Sequence, residues 1–516
     1  MTGVDERWAL RAGEQRTLDE HAVASGIEQD ALMESAGTNA AKWILDRLRP
    51  HRAVVLAGPG GNGGDGLVVA RCLHEVGVEV ATYSLTPVEE SAPASRRMAE
   101  RLEAAGAEPV HPASSHGLAS ALERADCIID GLFGSGLTRP LGGEALRIVE
   151  RLNTSRARTV SLDLPSGLAS DRGELLGEAV RADVTLAMAF LKPAHLFYPA
   201  AGYCGNTAVV AVAYPELVLR QVEPWARVCE LAGIHKRLPV RRPDGHKGTF
   251  GRVLVVAGSI GMTGAAILCC RGALRAGAGL VTLAGPAALD PIFEVALPEV
   301  ITIPLPDEGG HVAGIDDQRF REAMERVDVL AIGPGLSRTP ASLDAVRTIV
   351  ERSSGPVVLD ADGLYALMGH DDVLAGLAGR AVLTPHPGEL GVLIDRTPEE
   401  VSGARRDFAH EFAREHGVVL VLKGRPTAIG LPDGNLYLNP TGNEGLATGG
   451  TGDVLTGLIA GFAAGGASLA DASLVGAYVH GMAAEAYARD RAARSLMPSD
   501  LLDRIPGVLR EVEACG

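Results

Sequence analysis

Asp453 sits behind Gly449, Gly450, Thr451 and Gly452 and ahead of Val454, Leu455, Leu458 and Ile459, whose spacing predicts a helix beginning at the glycines. Free amides and the dipole at a helix N-terminus favour an anion, and glycine lets a ligand approach the main chain closely. A carboxylate there is either a helix cap or a base held beside a bound phosphate. Other segments of the C-terminal half end apolar runs in chemistry of the same kind. "GPGL" (333–336) offers amides, "TPHPGE" (384–389) places His386 and Glu389 in a Pro-bounded turn, and "LKGRPT" (422–427) presents Lys423 and Thr427. "HKGTFGRVLVVAGSIGMTGAA" (246–266) has glycine turns on both sides of an apolar run. Phosphoryl transfer to a hydroxyl needs amides around the phosphate, a cation and a base. Asp453 could supply the base, and Lys423 with Thr427 could hold a nucleotide. No G-x-x-x-x-G-K-[ST] occurs, which excludes a P-loop kinase.

The N-terminal half carries a second set. "LAGPGGNGGDGLVVARCL" (56–73) reads as strand, glycine loop and helix, but departs from G-x-G-x-x-G and lacks the acid that would close a Rossmann ribose site. By itself it is a generic anion-binding turn. Asp130 ends the next apolar run and is followed by a second glycine loop with Arg139. Asp163 and Ser166 end another in "SLDLPSGL", and Lys192 stands in "AFLKPAH". Two amide-rich loops suit a pyrophosphate, and oxygen ligands from Asn62, Asp130 and Ser166 suit a hard cation.

These residues need elements to hold them. Short Val/Ile/Leu runs at 53–58, 127–134, 159–167 and 184–190, then at 252–259, 280–285, 329–335, 356–363, 381–389 and 418–424, alternate with helical stretches. Continuous apolar strands of this kind belong to parallel sheets covered on both faces, with ligands at the carboxyl ends. At 516 residues, two to four domains are expected. The strand pattern lapses between 215 and 245, so two different α/β domains are expected, residues 1–222 and 223–516.

The formal charge of −16 argues against nucleic acid or an anionic membrane as main partner. Seven scattered cysteines without C-x-x-C suggest neither a disulfide framework nor zinc, and fit a reduced, cytoplasmic setting. The polar opening "MTGVDERWALRAGEQ" argues against a secretory signal, and no apolar run approaches the ~20 residues of a membrane helix.

In order, "HKGTFGRVLVVAGS", "GPGL", "TPHPGE", "KG" and "NEGLATGGTGDVLTG" resemble the ADP-dependent NAD(P)H-hydrate dehydratases of the ribokinase-like superfamily over about residues 245–500. "NGGDG" (62–66), "DGLFGSGLTRP" (130–140) and "DLPSG" (163–167) resemble the NAD(P)H-hydrate epimerases over about residues 10–215. One departure is Gly61, where that family's pattern carries asparagine. The resemblance implies two three-layer αβα domains, Rossmann-like then ribokinase-like, that repair hydrated NADH and NADPH (NADHX and NADPHX). The first would interconvert the R and S hydrates, and the second would dehydrate the S form at the expense of ADP.

It further implies that Asn62, Gly63, Gly64, Asp65 and Gly66, with Gly134, Ser135, Gly136, Leu137, Thr138, Arg139, Pro140 and Asp163, hold the epimerase substrate. Potassium would sit on Asn62, Asp130 and Ser166. Ala265, Gly335, His386 and Asp453 would contact the hydrate in the second domain, and Lys423, Gly424, Arg425, Pro426 and Thr427, with Gly452, would contact ADP. Asp453 would be the base, with Asp163 and Lys192 moving protons during ring opening. Mg2+ is expected with the nucleotide, and a homo-oligomer of four or more subunits is the family expectation. Two other readings stay open: a ribokinase-like kinase of a vitamin-precursor alcohol, and a first domain that binds nucleotide without turnover.

Overall fold

The computed structural model describes residues 6–515. Cα packing divides these into two compact units, Arg7–Trp225 and the chain from Ala226 onward, the latter joined by Glu6.

In the first unit the strand Arg52–Ala57 alternates between two apolar clusters. Ala53, Val55 and Ala57 face the helices Gln29–Arg47, Gly61–Glu75 and Pro93–Ala104. Val54 and Leu56 face Gly117–Arg124 and Gly143–Leu152. A period-2 strand that is apolar on both faces must be covered on both, which gives three layers. The sheet is parallel throughout, in the order 111–112, 79–84, 52–57, 127–131, 158–162, 184–188, 206–210. Strand order reverses at Arg52–Ala57, whose neighbours are Glu79–Ser84 and Cys127–Gly131. That is where an open α/β sheet leaves a crevice at its carboxyl ends. The glycine loops after Arg52–Ala57 and Cys127–Gly131 both open there.

The second unit repeats this logic around Arg252–Val256, flanked in parallel by Leu280–Pro286 and Val329–Ile332. The order continues through Val357–Leu359, Ala381–Leu383 and Val419–Leu422. Here the sheet departs from the expected all-parallel pattern. Thr427–Gly430 turns back antiparallel on Val419–Leu422, because the 423–426 loop is too short for a crossover. Leu436–Asn439 follows antiparallel, and Ala226–Cys229, inside the stretch where the strand pattern lapses, adds to it in parallel. This last strand has only four residues, too few to show a period.

The helix Thr451–Ala464 lies against Thr263–Arg275 with almost nothing between them. A Cβ on Gly457 would meet the Cys269 carbonyl oxygen at 2.0 Å, and one on Gly272 would meet the Val454 carbonyl oxygen at 2.6 Å. The two backbones are therefore in direct contact, with glycine required on both sides. No helix among the described residues is long and apolar enough to cross a membrane.

Candidate active sites

The glycine turn before Asp453 is built to start a helix abruptly. Gly450 caps Thr451–Ala464 at φ +97°, a left-handed conformation that glycine adopts without strain. The Thr451 hydroxyl donates to the carbonyls of Leu446 (2.9 Å) and Thr448 (3.0 Å). Burial keeps His480 neutral, its value down at about 4, and its Nε2–H reaches the Thr451 carbonyl at 2.9 Å. Asp453 is thus in the first helical turn but is not the cap, because no side chain caps this helix. Its carboxyl is left for chemistry.

Around it the strand ends converge. Lys423 Nζ binds Asp360 Oδ1 at 2.8 Å and lies 3.6 Å from Glu389 Oε2. Thr456, one turn after Gly452, donates to Asp360 Oδ2 at 2.8 Å, and a Cβ on Gly452 would stand 3.4 Å from Lys423 Nζ. Glu389 also accepts from the His386 amide at 2.8 Å, while His386 Nδ1 accepts from the amides of Gly388 and Glu389, so the histidine caps its own helix. Burial and the neighbouring Asp360 push the Asp453 carboxyl up to about 7, with Lys423 pulling the other way. Burial would lower Lys423, but Asp360 and Glu389 hold it above the usual lysine value, so it stays charged. Gly335 (φ +62°) packs on Ala265, whose Cβ would lie 2.9 Å from a Cβ at 335. That brings these two residues together at the N-terminus of Thr263–Arg275. Gly424 and Arg425 are exposed on the turn before Thr427, with Pro426 buried beneath.

In the first unit, Asp163 (φ +60°) lies at the carboxyl end of the strand Arg158–Leu162. One oxygen forms an ion pair with Lys192, which is wholly buried. The other accepts from the Ser135 amide at 3.0 Å. Lys192 also donates to the carbonyls of Phe190 (3.1 Å) and Met188 (3.3 Å). His195 Nδ1 accepts from the Lys192 amide at 2.8 Å, which leaves Nε2–H to donate to the Asp163 carbonyl at 2.7 Å. Burial alone would raise Asp163, yet the Lys192 ammonium holds it below the ordinary carboxylate value.

Gly134 leaves room for this: a Cβ there would be 2.9 Å from Asp163 Oδ2 and 3.3 Å from Asn62 Cγ. Asn62, Gly134, Ser135 and Asp163 are therefore adjacent. Gly136, Thr138, Arg139 and Pro140 lie exposed farther along the loop, with Leu137 half-buried. Gly63, Gly64 and Gly66 are buried in the first turns of Gly61–Glu75, where a Cβ on Gly63 would meet the Gly58 carbonyl oxygen at 1.9 Å. A Cβ on Gly61 meets nothing within 4 Å, so the departure there costs no packing.

Two family models match. One described as NAD(P)H-hydrate dehydratase covers residues 253–507, and one described as YjeF-related protein N-terminus covers 29–194. The bifunctional NAD(P)H-hydrate repair enzyme of Moorella thermoacetica is 39% identical over 515 residues, 98% of this chain and 97% of the relative. That of Thermofilum pendens is 37% identical over 505 residues, 97% of this chain and 96% of the relative. The chain belongs to the bifunctional NAD(P)H-hydrate repair enzymes. Among solved structures, an ADP/ATP-dependent NAD(P)H-hydrate dehydratase from Bacillus subtilis, co-crystallised with ATP/Mg2+, is 33% identical. It matches 55% of this chain and 98% of its own, with a TM-score of 0.46.

In this member of the family, sequence spacing leaves several partners of the sites unnamed. Asp360 sits in "PVVLDADG" at a strand end, the same signal that marked Asp130 and Asp163, but only the fold shows it gripping Lys423. Thr456 and His195 carry no spacing signal at all.

The elevated Asp453 carboxyl gives a pH prediction. Were Asp453 to act as a base it would have to be ionised, and dehydration would then rise with pH through about 7 and level, read from initial rates between pH 5.5 and 8.5. The stability effect has the opposite sign. Between the ordinary value of 3.8 and about 7, the folded chain holds a proton the unfolded chain has lost, so this group costs stability as pH rises through that window.

Proposed function

We propose that this chain repairs hydrated nicotinamide coenzymes. The unit Arg7–Trp225 interconverts the R and S hydrates of NADH and NADPH, and the unit from Ala226 onward dehydrates the S form with ADP, returning NAD(P)H, AMP and phosphate. The observation that carries this is one chain presenting two separate proton-handling centres. Asp453 stands on an amide-rich helix start beside Lys423, and Asp163 stands on Lys192 beside a second amide loop.

In the second unit the hydroxyl at C6 of the hydrate gives its proton to Asp453 as its oxygen takes the β-phosphoryl group of ADP, and AMP departs. The C6–O bond then breaks toward phosphate, driven by the lone pair of the ring nitrogen, and loss of a C5 proton restores the ring double bond. The amides of Gly449 to Gly452 face the transferring phosphate. Lys423 and the 424–427 turn hold the nucleotide, with Ala265, Gly335 and His386 around the hydrate. Asp360, held by Lys423 and Thr456, keeps that lysine ordered when no nucleotide is bound.

Among the described residues no cluster of three or more acidic, histidine or cysteine side chains could hold a metal, so Mg2+ would arrive on the nucleotide phosphates, where it would neutralise developing charge. A potassium ion fits the first unit through Asn62, whose Oδ1 and Nδ2 are both buried and unpartnered. Ser166 and Asp130 would complete its ligands. Asp130 already accepts from Ser161, Ser166 and the Leu132 amide, and the Ser166 hydroxyl can donate to it and offer an oxygen lone pair to the ion at once. That ion would anchor the 134–140 loop against Asn62. A cytoplasmic setting and a homo-oligomer belong to the same proposal; the seven cysteines are all free.

The test mixes the full chain with R and S NADHX and ADP, ATP or neither, and follows absorbance at the NADH band. Full recovery of both epimers with ADP is expected. Enzymatic recovery of the S fraction alone would reduce the first unit to a binder. No recovery with either nucleotide would point to the small-alcohol kinase reading.

A further inference from the structure

Beside the Asp163–Lys192 pair, the first unit has a cavity of about 630 Å³ lined by Gln15, Asp19, Met33, Asp65, Met188 and Tyr214 among others. That volume, with mostly apolar walls and a few convergent polar groups, suits a small amphipathic ring. The Met188 carbonyl joins the cavity to the pair, accepting from Lys192 Nζ at 3.3 Å and from Gln15 Nε2 at 3.4 Å.

The acids around this space differ in one respect. Asp19 accepts from the Tyr214 hydroxyl, and Asp163 is bound by Lys192 and Ser135. Asp65, in the first turns of Gly61–Glu75, has no hydrogen-bond partner among the described residues and lines the cavity. A carboxyl on the cavity wall that no protein group holds, unlike those of Asp19 and Asp163, is open to a bound ligand.

We propose that Asp65 is the proton donor of the epimerisation: with the hydrated ring in this cavity, it protonates the ring nitrogen while the Asp163 carboxylate takes the C6 hydroxyl proton. The assignment rests on the epimerase reading above. The C6–N1 bond breaks with its electron pair going to nitrogen, C6 becomes an aldehyde carbonyl, and one proton leaves oxygen as one arrives at nitrogen. Rotation about C5–C6 and closure by the reverse transfers give the other epimer, with no co-reactant consumed.

The alternative, expelling the C6 hydroxyl as water, places a cationic ring beside the buried Lys192 ammonium. That cation would also lose a C5 proton to give NAD(P)H directly and bypass the ADP-dependent unit. Ring opening avoids both. The electrostatics agree with the roles. Burial and the charges of Asp163 and Asp19 raise Asp65 well above the ordinary carboxylate value against the pull of Lys192, which favours its protonated form, whereas Lys192 holds Asp163 below that value and favours its ionised form. Two carboxyls pushed apart by their surroundings are the usual form of an acid–base pair.

The test follows R-to-S conversion of NADPHX by the full chain without ADP, resolving the epimers by chromatography. Asp65→Asn should lower kcat roughly 100-fold or more with little change in KM, and ADP-dependent dehydration of the S form should be unchanged. A variant that folds and epimerises within a few-fold of the original chain overturns the assignment while leaving the epimerase reading intact. An original chain that does not speed epimerisation sinks that reading, and the assignment with it. Should Asp65→Asn fail to fold, the pH profile of the original chain decides. The charged groups acting on Asp65 are Asp163, Asp19 and Lys192, and Arg16, Glu20 and Tyr214 line the same cavity. A rate that falls on the alkaline side supports a donor acid here, and a profile with only an acidic limb refutes one.

Discussion

Asp453→Asn should abolish ADP-dependent dehydration, lowering its rate by about 10²–10⁴-fold, the usual cost of losing a general base, and leave epimerisation untouched. Asparagine keeps the size of the side chain and cannot take a proton. The helix start should survive it, because the cap is the Gly450 backbone and the Thr451 and His480 contacts, none of which uses the Asp453 carboxyl. The substitution should also remove the rise in rate through about pH 7 and slightly stabilise the chain at alkaline pH, since a half-buried carboxylate near Asp360 is gone. NADH release from S-NADHX plus ADP measures the first effect, and thermal unfolding at pH 6 and 8.5 the second. A variant that dehydrates at close to the original rate means that the base lies elsewhere, with Asp360, Asp362 and Glu389 as the neighbouring carboxyls.

Asp163→Ala should remove epimerisation and destabilise the first unit by about 3–5 kcal/mol, the penalty for leaving one member of a buried ion pair uncompensated. Lys192 is wholly buried, and without Asp163 its ammonium keeps only two backbone carbonyls. The loss should spread to the 134–140 loop, because the Ser135 amide also loses its acceptor. Pairing Asp163→Ala with Lys192→Met should recover much of the stability and none of the activity. Chemical denaturation followed alongside R-to-S conversion separates the two. A single variant that still accelerates epimerisation removes Asp163 from the mechanism whatever its stability.

Much of this was legible in the chain because α/β sheets put chemistry at strand ends. Asp130, Asp163 and Lys423 each end an apolar run, and the glycines before Asp453 open one; the fold gathers those of the first unit beside the point where strand order reverses, and those of the second at the carboxyl ends of Val357–Leu359, Ala381–Leu383 and Val419–Leu422. What stayed hidden was pairing across distance. Nothing in the spacing of Asp360 and Lys423, 63 residues apart, foretells their contact, nor that of Asp19 and Tyr214, 195 apart. Such contacts follow from which strands and helices become neighbours, and many pairings are compatible with the same periodicity. The antiparallel return at Thr427–Gly430 escaped notice for a related reason, since a run of four residues carries no direction.

The glycine seam between Thr263–Arg275 and Thr451–Ala464 carries a consequence for how this site can change over time. One helix begins next to Ala265, the other next to Asp453, so the seam works as a spacer of fixed width between the proposed substrate contact and the proposed base. A seam of side chains can absorb a substitution by turning rotamers; one of bare backbone has nothing to turn. Gly272 and Gly457 therefore belong among the least replaceable positions of the unit, and adaptation to a new substrate has to come from the loops, where width is free to vary.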